Sequence, residues 1–184
     1  MSVHSIVSEK IQETALQFVD GTLLHNPRFF KKLHDGYGFS VSHRFEGVST
    51  GDEVAIYFKN PDGSSIKIYI IVIEIVSTGQ GWADIFRDNT VTVSGTSISP
   101  VNLNLGSSIN SVVNAEYGGT YKTGNKVHET VVPGGSRIMA IGGAAEVGES
   151  VIIPEDNDIL VKATNKSASA EDISIRIIWW EDVI

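Results

Sequence analysis

Apolar side chains recur along this chain with two different periods. In the N-terminal part, Ile6, Val7, Ile11, Ala15, Phe18 and Val19 fall at three- and four-residue spacing between Glu9, Lys10, Gln12 and Glu13. That pattern predicts an amphipathic helix ending at Asp20-Gly21. Asn26-Pro27 then supplies an N-cap with proline at the first helical position, and predicts a short helix through Phe29, Phe30 and Leu33 that stops near Asp35-Gly36. From Gly36 onward the period changes to two, the signature of half-buried strands. Phe39, Val41, His43 and Phe45 alternate with Ser40, Ser42, Arg44 and Glu46, and Val54, Ile56 and Phe58 alternate with Glu53, Tyr57 and Lys59.

The most hydrophobic run, from Ile66 to Val76, is rich in isoleucine and valine, which are stiff at χ1 and suit a pleated surface. Asn60-Pro61-Asp62-Gly63 carries turn chemistry between the two runs, with glycine where φ is positive. Residues 53–76 are therefore expected to form a long hairpin with an exposed tip at 60–63, covered by a second sheet. Further strands are expected at 82–87, 90–94, 101–105, 126–132, 136–141, 149–153 and 158–165, and around Ile173, Ile175, Ile177 and Trp179. Nine or ten strands at this spacing, with glycine and proline between them, predict an all-β jelly-roll β-sandwich with a short N-terminal α-helical arm. The expected division is an arm over 1–36 and a sandwich domain over 37–184. The stretch 106–124 is expected to be a functional or interface loop. The arm has two readings at this point: a helix packed on its own sheet, or one docking on a neighbouring subunit.

Composition narrows the chemistry. The chain has 184 residues and no cysteine, which excludes disulfides, thiolate metal sites and cysteine nucleophiles. Its net charge of −8 is confined to residues 47–184, since five basic and five acidic side chains cancel over 1–46. No basic stripe is present for phosphates, so no nucleic-acid partner is expected. No signal peptide is expected from the first residues, and Lys67 and Glu74 interrupt the longest apolar run, so no membrane partner is expected either.

Gly142-Gly143-Ala144-Ala145-Glu146-Val147-Gly148 lacks a following helix and reads as a hairpin loop rather than a phosphate cradle. The five histidines (His4, His25, His34, His43, His128) have no ligand spacing, and His43 reads as a core or interface residue. Glu155-Asp156-Asn157-Asp158 reads as an ordinary turn rather than a calcium loop. There is no GxSxG elbow, and Asn165-Lys166-Ser167 reads as a chance glycosylation sequon. No catalytic residue, cofactor or metal is expected, and the chain is not expected to be an enzyme. Trp82, Tyr117, Tyr121 and Trp180 are the aromatic candidates for stacking on a sugar. The competing reading places Trp82 and Trp179 in the core and gives Trp180 and the tyrosines to a subunit contact, because Trp180 faces opposite to Trp179.

Two stretches carry a resemblance: 51–82, with its Asn60-Pro61-Asp62-Gly63 turn and Ser77-Thr78-Gly79-Gln80-Gly81-Trp82, and 153–181, closing on Trp179-Trp180-Glu181. Together they resemble small jelly-roll virion proteins of tailed bacteriophages and related viruses, notably head decoration (cement) and auxiliary capsid proteins. The resemblance covers roughly a third of the chain at the level of pattern. It implies a non-enzymatic structural protein, commonly a homotrimer, made in the host cytoplasm and bound to the capsid surface through the major capsid protein or other virion proteins. The expected interface residues are Ile6, Ile11, Phe18, Phe29, Phe30, Tyr117, Tyr121 and Trp180. The alternative function is a carbohydrate-binding, receptor-recognition β-sandwich module.

Overall fold

The structure, a computed structural model, describes residues 18–19, 22–23, 27–135, 137–141 and 151–183. Strands β1 (Phe18–Val19) and β2 (Thr22–Leu23) pair antiparallel, Phe18 opposite Leu23 and Val19 opposite Thr22. Phe18 and Val19 are thus strand residues, not the last turn of the expected helix; an aromatic beside a β-branched residue suits extended pairing. Ile6 and Ile11 lie outside the described residues. Helix α1 (Pro27–His34) forms where expected, with proline first and Lys31, Lys32 and His34 at its negative C-terminal end.

Two antiparallel sheets follow. Sheet I contains β3 (Gly38–Val48), β5 (Ile66–Ser77), β13 (Arg137–Ile141) and β16 (Glu171–Val183) in the order β13-β5-β16-β3, extended by β9 (Val101–Asn102). The short β14 (Val151–Ile153) also pairs with β5. Sheet II contains β4 (Glu53–Lys59), β6 (Gly81–Arg87), β12 (Asn125–Val132) and β15 (Asp158–Asn165) in the order β12-β6-β15-β4, extended by β10 (Asn114–Tyr117) and β8 (Thr96–Ile98). Take the eight main strands in chain order, counting β13 and β14 together as the sixth. One sheet holds the sixth, third, eighth and first, and the other the fifth, fourth, seventh and second. That is the strand order of a jelly roll.

The inner faces supply the core. Phe39, Val41, Ile68, Ile70, Ile73, Ile75, Ile173, Ile175, Ile177 and Trp179 of sheet I meet Ile56, Phe58, Ala83, Ile85, Ile159, Val161 and Ala163 of sheet II, all buried. The Trp179 ring sits edge-on to Phe58 at 4.9 Å.

Residues 53–76 do not form a hairpin. β4 pairs with β15 and β10, whereas β5 pairs with β16, β13 and β14, so the chain crosses from one sheet to the other between them. Both strands present apolar faces inward, and facing each other across the core satisfies those faces as well as pairing side by side. Gly63 does take a positive φ of 73°. The turn is only partly a free tip: Asp62 and Gly63 are exposed, but Asn60 is buried and donates from Nδ2 to the Ile66 and Ile153 carbonyls at 2.8 and 3.1 Å. β5 also carries a bulge against β16 at Ile71: Ile70 faces Trp179 and Val72 faces Ile178. The extra residue lets Ile70 and Ile73 both point inward, and accounts for the break in strict alternation.

The expected loop at 106–124 is partly ordered as strands. Between β6 and β12 the chain forms β7 (Thr90–Val93), β8, β9, β10 and β11 (Thr120–Lys122). β7 and β11 pair as a separate ribbon, and their Val91 and Tyr121 pack over Tyr57, Phe86 and Leu160 on the outer face of sheet II.

Candidate functional site

The expected interface aromatics are mostly engaged within the chain. Trp180 is 4% exposed, stacked on Tyr69 at 3.9 Å, with the Lys32 ammonium 5.7 Å from its ring. It does face away from Trp179, but α1 covers it: Lys32 also bonds Asp182 at 2.6 Å, and Leu33 lies against Gly38. Tyr121 stacks on Tyr57 at 5.5 Å, and burial with the nearby Glu116 raises its hydroxyl to about 12. Tyr117 stacks on His43 at 3.5 Å, with Phe45 edge-on to the imidazole, and burial lowers the His43 pKa. His43 is thus a packed histidine. Phe29 and Phe30 lie 5.8 Å apart on α1, Phe30 being exposed.

Among the described residues, two outer surfaces are left uncovered. The outer face of sheet II carries a ladder of alternating charge. Lys126 bonds Glu129 and Asp84 at 2.8 and 2.9 Å, Lys162 bonds Glu53 at 2.8 Å, and both ammoniums lie over the Phe86 ring. Beside this ladder Trp82 stands opposite Val131 on β12, 52% and 51% exposed, with the Lys166 ammonium 4.3 Å from the indole centroid. Trp82 is therefore not core. The alternation Trp82, Asp84, Phe86 against Ala83, Ile85 held the signal, because Asp84 marks the outward face.

The outer face of sheet I holds a shallow depression of about 530 Å³. Its floor is two rows in register: Ser42–Arg176–Glu74 and Arg44–Ser174–Val76, contributed in turn by β3, β16 and β5. Arg176 Nη1 donates to Glu74 Oε2 at 3.4 Å, and Arg44 pairs with Glu46 at the rim. None of these residues was singled out from the sequence as a site. The signal was the repeated pattern Ser-x-Arg on two strands, Ser42-His43-Arg44 and Ser174-Ile175-Arg176.

Two further motifs are engaged within the fold. At 155–158, Glu155 accepts from the Gly63 and Ser65 amides, Asp156 pairs with Lys59, and Asp158 accepts from Asn89, so the turn's carboxylates are used internally. The Asn165 side chain is buried and bonded, which seals the sequon in the folded chain. The glycine-rich segment 142–148 lies outside the described residues. Among the described residues no group of three His, Asp or Glu is arranged to hold a metal, and no helix is long and apolar enough to cross a membrane. No protein-family model matches the chain, and no curated protein matches it in sequence.

Proposed function

We propose that this chain is a structural, non-catalytic virion protein: a jelly-roll module that supplements or decorates a viral shell through contacts between its own copies and with other shell proteins. The observation that carries this reading is the Trp82–Val131 pair. A half-exposed tryptophan on a sheet, beside an exposed valine and under a lysine, has the composition of a contact hot spot. The jelly-roll order and the pattern resemblance at 51–82 and 153–181 support the same reading. Sedimentation equilibrium of the full chain is expected to give a trimer, and Trp82→Ser with Val131→Ser is expected to weaken it at least tenfold in association constant. A monomer at every concentration, with no binding to assembled shells, would sink the proposal.

The second reading, a carbohydrate-binding module, also rests on Trp82, because an exposed indole can stack on a sugar ring. Binding on a glycan array that Trp82→Ala abolishes, without trimer formation, would favour it.

A further inference from the structure

The depression on sheet I is on the opposite layer from Trp82, and its chemistry is different. The antiparallel register sets Ser42 beside Arg176 and Arg44 beside Ser174. The small serines therefore occupy one diagonal and sink the floor, while the two guanidiniums stand on the other. Each arginine spends one nitrogen on a glutamate, Glu74 or Glu46. Its other donors, and both serine hydroxyls, have no partner among the described residues. Beneath them Val41, Ile75, Ile173, Ile175 and Ile177 are buried, so the floor needs no ordering when a ligand arrives.

We propose that this depression binds an acidic monosaccharide unit, a hydroxyl-rich ring bearing one carboxylate. A guanidinium matches a carboxylate with two parallel donors. Glu46, Glu74 and the serines supply acceptors for ring hydroxyls, and half-buried Val76 offers an apolar patch to the ring's C–H face. The charges decide against a polyanion. Two arginines are offset by two glutamates, and the chain's net charge is −8, so nucleic acid or a polysulfated chain is repelled far more strongly than one carboxylate. The volume of about 530 Å³ lies within the usual range for small ligands, and its openness to solvent predicts weak, millimolar binding of a single sugar.

The test is a titration of the ¹⁵N-labelled full chain, followed by amide chemical shifts, with methyl glycosides of glucuronic acid and N-acetylneuraminic acid to about 10 mM. Galactose and sodium sulfate serve as controls. Saturable shifts are expected at amides 42–46, 74–76 and 174–176 with the acidic sugars alone. Affinity should fall at least tenfold in Arg44→Gln and in Arg176→Gln. Ser42→Val with Ser174→Val, which fills the floor and keeps both charges, should also abolish binding. The proposal is overturned by absence of shifts, by equal response to galactose, or by sulfate reproducing the same shifts at similar affinity. Loss of binding in Trp82→Ala but not in the arginine variants would place the sugar on sheet II and overturn it too.

Discussion

Asn165 shows how much one buried side chain can hold. Its Nδ2 donates to the Val48 and Ser169 carbonyls at 2.8 and 2.7 Å, and its Oδ1 accepts from the Ser167 amide at 2.8 Å. Asn165→Ala removes three hydrogen bonds, leaving the Ser169 carbonyl only its bond from Ser167 Oγ, and should cost about 2–3 kcal/mol, read as a lower urea midpoint at unchanged slope. Glu181 is the titrating counterpart. Burial pushes its carboxyl above the usual range, against hydrogen bonds from Ser111, Trp179 and the Val112 amide that pull it down. A raised folded pKa means that ionisation costs the folded state. The stabilising contribution is present at low pH and lost as pH rises through the raised value. Glu181→Gln removes this titration. Urea unfolding at pH 7 and at pH 4.5 should show the wild type gaining on the variant as pH falls. The opposite trend would mean that the three donors outweigh burial. The sequence marks the outward direction of Trp180 but not its cover, because exposure depends on α1 folding back over it.

At the scale of elements, α1 and sheet I are fitted through Gly38. A Cβ there would sit 3.1 Å from Leu33 Cδ1 and 3.3 Å from Leu33 Cα, so any side chain would press on the helix and a branched one would crowd it. Gly38→Val should lift α1, break Lys32 from Asp182, and speed amide exchange over residues 30–34 about tenfold while the sheets stay protected. Equal exchange in the two proteins would show that the helix is held by something else. Strand positions were legible because alternation is local: β3, β4, β6, β12, β15 and β16 fall close to where the sequence places them. Partners were not. The inward faces of β4 and β5 look the same whether the strands pair or face each other, and nothing local distinguishes the two. β10 and β11 were missed because Asn114–Tyr117 and Thr120–Lys122 are too short and polar to show a period.

At the scale of the whole molecule, the two sheets leave two unlike outer faces. Among the described residues, sheet II is part covered by the β7–β11 ribbon, part laced by ion pairs, and uncovered at Trp82; sheet I is uncovered over paired serines and arginines. The fold class was readable from strand number and spacing. Trp82 could be named as a candidate, but neither surface as a whole could, since each is assembled from strands far apart in sequence. That remoteness governs how the chain must be made. β16 lies between β5 and β3, setting Ile175 beside Ile75 and His43, so the centre of sheet I comes from the last of its strands. Until residue 183 has been synthesised, β3 and β5 have no central partner. During that interval one edge of the isoleucine-rich strand Ile66–Ser77 is unpaired and aggregation-prone, even where β13 and β14 pair the other. Nascent chains stalled before Glu171 should therefore need a chaperone to stay soluble, and the fold should lock only when translation delivers the strand that both neighbours await.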